Sequence, residues 1–106
     1  MKGYAVGILK RVDMGPAIVQ YLERIDETLA AYGGCFIVHG GERSIFEGDD
    51  PGVFIVIEFP SRAAALDWYH SDAYQAILPL RTEHSDSTVF IAEGVDRDHR
   101  ATDVLG

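Results

Sequence analysis

"VFIVIEFPS" (Val53–Ser61) decides the fold. Apart from Glu58, the first seven residues are β-branched or aromatic, and they are apolar on both faces. Such a run belongs at the centre of a sheet. Glu58 is the exception, and it shares a face with Phe54 and Val56. Pro60 ends the strand, and Ser61 is suited to cap a helix. The helical stretch that follows is "RAAALDWYHSDAYQAILPLR" (Arg62–Arg81). Ser71 offers a second N-cap, which predicts two helical pieces. Pro79 lacks an N–H and is expected to break or kink the second piece.

Toward the N-terminus, Tyr4–Leu9 alternates Tyr4, Val6 and Ile8 with Ala5, Gly7 and Leu9. Both sets are apolar or small, so this strand is also expected to be central. Asp13 or Gly15 can cap the next helix, with Pro16 in its first turn. Ile18, Leu22, Ile25, Leu29 and Tyr32 then form one apolar stripe, leaving Glu23, Arg24, Asp26 and Glu27 to solvent. Gly33-Gly34 stops the helix. In "CFIVHGG" (Cys35–Gly41), Cys35, Ile37 and His39 are expected on one face, with a bulge at Gly40-Gly41. The strand is expected to resume through Ser44–Phe46 before a turn at "EGDDPG". "STVFIAEG" (Ser87–Gly94) reads as the last strand. Residues 96–106 are polar and read as a tail, frayed or laid on a partner. This gives one domain over residues 1–95, as the 106-residue length suggests.

The order strand, helix, strand, strand, helix, strand predicts an α+β, ferredoxin-like βαββαβ fold. Its four-stranded antiparallel sheet carries the helices on one face. The other face is apolar and has no helix to cover it. A second copy is the natural cover, so a homodimer or a larger assembly is expected.

Composition narrows the partners. Acidic residues outnumber basic ones by 17 to 9, giving a net charge of −8. Nucleic acid needs clustered Lys and Arg and is excluded on that ground. The single cysteine, Cys35, builds neither an internal disulfide nor a Cys-based zinc site. The apolar N-terminal run is too short to span a membrane and has no signal-peptide pattern. A soluble cytoplasmic protein is the simplest reading.

"YGGCFIVHGG" (32–41), "EGD" (47–49), "VIEFPS" (56–61), "WYHSDAYQ" (68–75), "PLR" (79–81) and "EG" (93–94) follow one another in an order that resembles the domain-of-unknown-function 1330 family. The resemblance covers Gly3 to Val95. It implies the fold of the dimeric α/β-barrel superfamily, in which two copies close face to face. His39 departs from the family pattern, which usually has Arg there, and no Pro lies near Ala31. The wider superfamily includes cofactor-independent monooxygenases, decarboxylases, isomerases and heme-degrading enzymes, and such analogy carries no function to this chain by itself.

Two groups of residues could carry chemistry. Trp68, Tyr69, Tyr74 and Arg81 have the composition of a pocket wall, apolar with a few polar groups. The plainer reading is a core packed between helices and sheet, with Arg81 tying down a carboxylate or a helix end. His39 and Glu58 lie in neighbouring strands. If they share a face they form an acid–base pair; otherwise Glu58 pairs with Arg43, Arg62 or Arg81 and only fixes the fold. His70 and His84 lack metal-ligand spacing, and Cys35 reads as a buried, inert thiol. No metal or cofactor motif occurs. Three functions follow: a binder of a small organic molecule, a cofactor-independent enzyme acting through His39 and Glu58, or a structural dimeric module.

Overall fold

A computed structural model describes all 106 residues. The chain runs β1 (Gly3–Val12), α1 (Pro16–Leu29), β2 (Cys35–His39), β3 (Val53–Phe59), α2 (Arg62–Tyr69), α3 (Asp72–Thr82) and β4 (Ser85–Glu93). Short 3-10 segments lie at Ala30–Tyr32 and Ala101–Leu105. The strands form one antiparallel sheet in the order β2-β3-β1-β4. The two strands that are apolar on both faces therefore occupy the two central places.

The register sorts the residues into two faces. Ala5 lies opposite Ile57 on one side and Ile91 on the other, and Val6 lies opposite Val56 and Phe90. Residues paired across strands share a face, and neighbours along a strand alternate. The helices cover the Ala5 face. There Ala5, Ile57 and Phe59 form one core with Tyr21, Ile25, Leu29, Ala65, Trp68, Tyr74 and Ile77. The start of α2 presses so closely on β1 that a Cβ at Gly3 would collide with the backbone of Ser61 and Arg62.

Local signals in the sequence act as expected at several points. Ser61 Oγ accepts from the Ala64 N–H at 3.0 Å, and Ser71 Oγ accepts from the Tyr74 N–H at 3.2 Å. These caps divide the helical stretch into α2 and α3. Gly33 adopts φ 70°, the left-handed conformation that ends the preceding helical turn at little steric cost.

Other points differ. The α3 helix continues through Pro79 to Thr82 instead of breaking. Pro79 and Gln75 are exposed, so the carbonyl that loses its N–H partner can be hydrated. The register shift in β2 falls between Phe36 and Val38, not at Gly40-Gly41. Ser44–Phe46 is not a strand but part of the β2–β3 loop. That loop is closed locally: Arg43 Nη2 donates to both Asp50 oxygens at 2.9 and 2.7 Å, and the Gly52 N–H donates to Asp50 Oδ1 at 2.9 Å. The Gly52 N–H first and Arg43 second hold the Asp50 carboxyl below its ordinary pKa. In α1, Tyr21 is buried while Leu22 is 43% exposed. No helix is long and apolar enough to cross a membrane.

Candidate functional site

A cavity of about 80 Å³ lies between the helices and the covered face of the sheet. Its walls are almost entirely apolar, including Ala5, Ile18, Ile25 and Ile57. The polar side chains on its lining are few: Tyr21 from α1, His39 from β2, Trp68 from α2, and Tyr74 and Arg81 from α3. Residues 74, 77 and 81 recur at helical spacing, which turns all three inward, and all three are buried.

Tyr21 and Tyr74 meet edge to face, and their hydroxyls share a hydrogen bond of 2.7 Å. Burial is the main reason the Tyr21 pKa rises far above the ordinary tyrosine value; Tyr74 adds to this and Arg81 opposes it. At neutral pH Tyr21 is thus a neutral hydroxyl and not a base. Arg81 is 7% exposed, and its guanidinium carbon lies 5.8 Å from the centre of the Tyr21 ring. Arg81 Nη1 donates to Ser87 Oγ on β4 at 2.7 Å. Burial disfavours the Arg81 charge, but Tyr74 and Tyr21 outweigh it and hold the pKa above the ordinary arginine value. Arg81 is a fixed cation in an apolar surrounding.

Trp68 contributes a wall and no free polar group. Its Nε1 donates to Thr28 Oγ1 at 2.9 Å, and that hydroxyl donates to the Ile25 carbonyl at 2.7 Å. The indole packs 4.1 Å from the Tyr74 ring and 5.3 Å from the Phe59 ring, centre to centre. Tyr69 is not part of the cavity lining. It packs against Trp68, His70 and Tyr74, so it belongs to the aromatic layer behind the wall.

His39 and Glu58 are not brought together. Cys35 lies opposite Glu58, and Phe36 lies opposite Ile57. The shift after Phe36 then puts Val38 opposite Val56 and His39 opposite Ile55. His39 therefore joins Phe36 on the covered face, where the two rings stack 4.5 Å apart. Glu58 stays on the open face with Cys35 and pairs with Lys2 at 2.7 Å, not with an arginine. Glu58, through a hydrogen bond and its charge, raises the Lys2 pKa. The expected single face for Cys35, Ile37 and His39 is corrected in the same way, and Cys35 is exposed, not buried. His84 Nδ1 bonds the Leu80 carbonyl at 3.1 Å. No three His, Cys, Asp or Glu side chains converge as metal ligands would.

Two residues of the site escape the sequence reading. Tyr21 lies three residues after Ile18 and four before Ile25, so the helical spacing that marks the stripe also marks Tyr21. Ser87 has no signal, since its role depends on the pairing of β4 with β1.

The open face of the sheet carries Tyr4, Val6, Ile8, Val38, Phe54, Val56 and Phe90. Phe54 is 37% and Phe90 47% exposed. This is a contiguous apolar surface on which no element of the chain lies.

Residues 2–95 match the model of the family described as domain of unknown function (DUF1330), and the chain belongs to that family. No curated protein matches it. Among solved structures, it is similar to a protein of unknown function from Rhodopseudomonas palustris, with 15% identity and a TM-score of 0.66 over 90% of this chain and 83% of that one. It is also similar to a dimeric ferredoxin-like protein of unknown function from Jannaschia sp. CCS1, with 16% identity and a TM-score of 0.62 over 89% and 100%. An antibiotic biosynthesis monooxygenase matches with 21% identity and a TM-score of 0.51 over 91% and 100%. At these identities the likeness establishes the ferredoxin-like fold alone.

Proposed function

We propose that this member of the DUF1330 family binds a small organic molecule in the cavity between helices and sheet, and does so as a homodimer. The cavity carries the first part. Close-packed cores leave few voids larger than a water molecule. Here about 80 Å³ stays open beside Tyr21, Tyr74 and Arg81, all on one wall system built by α1 and α3. Apolar walls with a few placed polar groups are the usual make-up of a small-molecule site. The volume is about half that of a cavity known to accept benzene, so the enclosed part of the ligand is small.

The open face carries the second part. A face exposing Phe54 and Phe90 is too apolar to stay wet at no cost. The similar Jannaschia protein is described as dimeric, which supports the same assembly here. Two copies closing open face to open face form a dimeric α/β barrel and leave each cavity on its own side. Light scattering checks this: twice the 11.7 kDa chain mass is expected at micromolar concentration, and a stable monomer overturns it.

Binding is tested by NMR titration with small apolar alcohols and acids. Shifts confined to cavity residues such as Ala5, Ile57 and Tyr74 are expected. Saturating additions that move none of these resonances overturn the reading. An enzymatic reading through His39 and Glu58 draws no support from the geometry, because the two side chains leave opposite faces of the sheet.

A further inference from the structure

We infer that the cavity takes a small monocarboxylate, held by Arg81 with the Tyr21–Tyr74 hydroxyl pair beside it; this rests on the reading of the cavity as a binding site. A guanidinium carries its charge at any ordinary pH and has five N–H donors. When such a group is buried, it is normally matched by an acid or a set of acceptors. Arg81 is 7% exposed and has no acid beside it, only neutral hydroxyls. Every ion pair of the chain lies elsewhere: Lys2–Glu58, Arg11–Asp13, Arg43–Asp50 and His99–Asp103. The Ser87 hydroxyl accepts from the guanidinium at 2.7 Å, and the neutral Tyr21 and Tyr74 hydroxyls also stabilise it. The Tyr21 ring, 5.8 Å from the guanidinium carbon, offsets part of the charge as well.

No side-chain donor is buried without a partner, so the rest of the guanidinium is accessible, and it lines the cavity. A carboxylate is the planar acceptor that a guanidinium fork fits in two-point fashion. The neighbouring hydroxyl pair adds a donor, because two hydroxyls sharing one hydrogen bond leave one O–H over. The other walls are apolar, so the rest of the ligand must be hydrocarbon. The volume limits that part to roughly half of what a benzene-sized cavity holds. A short branched chain fits this description. The net charge of −8 repels anions at long range, so recognition has to come from contact with Arg81 and not from steering.

The test is a matched set on the wild-type chain: isobutyrate, isobutyramide and isobutanol, followed by NMR titration at neutral pH. Isobutyrate is expected to shift the cavity resonances and to bind at least about tenfold more tightly than the amide or the alcohol, the preference that a charge-assisted pair confers. Arg81→Met is expected to lose that preference while keeping the weaker binding of the alcohol. Arg81→Lys is expected to retain part of it. Equal affinity for all three probes overturns the carboxylate assignment but leaves the binding site standing. If no probe moves the cavity resonances, the binding reading fails and the assignment with it. The wild-type comparison decides the matter even if Arg81→Met does not fold.

Discussion

Alternate residues of the same strands meet two different fates in this sheet. On the covered face, Ala5, Ile57 and Phe59 lie beneath three helices and share a core with Trp68 and Tyr74. On the open face, Val6, Val56 and Phe90 take the adjacent register positions, and there Phe90 stays 47% exposed although Val56 is buried among its neighbours. Hydrophobicity does not distinguish the two sets. The covered face differs by holding a buried cation and two phenols, whereas the open face is apolar up to its Lys2–Glu58 edge. The proposed ligand site thus belongs to the covered side and the proposed dimer interface to the open one. Substitutions on the two faces should fail in different ways.

The largest loss is expected inside the covered face. Trp68→Ala removes an indole that is 2% exposed and packed on Phe59 and Tyr74. It also takes the donor away from Thr28 Oγ1. Aromatic-to-alanine changes in a core cost about 3–5 kcal/mol. Because a domain this small has stability of only about 5–15 kcal/mol, urea unfolding should show a much lower midpoint or no folded baseline. A loss below about 1 kcal/mol would mean that the covered face is not the core described here.

The matching change on the open face should act on assembly. Phe90→Asp places a charge on a residue that is already 47% exposed in the single chain, so the fold tolerates it. Buried between two sheets, the same carboxylate has no partner and is strongly disfavoured. Light scattering should therefore fall toward the 11.7 kDa chain mass while far-UV circular dichroism is unchanged. A Phe90→Asp variant that keeps twice the mass would move the interface off this face.

The third difference appears at alkaline pH. Tyr21 has a raised pKa in the folded chain, mainly through burial. Above the ordinary tyrosine pKa of about 10, the unfolded chain gives up a proton that the folded chain keeps. The Tyr21 contribution is therefore complete below that pH and is lost as the pH rises beyond it. Tyr21→Phe should flatten this alkaline decline in urea midpoints, and it should cost about 1 kcal/mol at neutral pH for the lost bond to Tyr74. An unchanged alkaline slope in the variant would assign the decline to another group.

Most of the architecture is legible because its signals are local. Two strands apolar on both faces had to be central, and β1 and β3 are. Ser61, Ser71 and Gly33 mark helix ends by their own chemistry, without help from distant contacts. The site is legible only in part. Trp68, Tyr74 and Arg81 share one short stretch whose spacing turns them inward. Tyr21 is harder to find, because residues 21 and 22 both fall within a broad helical stripe. Only the angle at which α1 meets the sheet decides that Tyr21 is buried and Leu22 is not. His39 is harder still. A shift within "FIV" (Phe36–Val38) leaves no mark in composition, yet one extra residue moves every later side chain to the other face.

That shift gives the smallest expected effect and a sharp one. His39 lies on the covered face, whereas the pairing of β3 with β1 keeps Glu58 on the open one, so Glu58 has no route to the cavity and serves only its pairing with Lys2. Ion pairs of this exposure contribute little and are screened by salt. Glu58→Gln should leave isobutyrate affinity unchanged and shift the melting temperature only slightly. Even that small shift should shrink as salt is added. His39→Ala should instead disturb the cavity resonances, because it removes a ring stacked on Phe36 at the lining. If Glu58→Gln altered ligand binding, the ligand would have to lie on the open face beside Glu58, and the cavity between helices and sheet would not be its site.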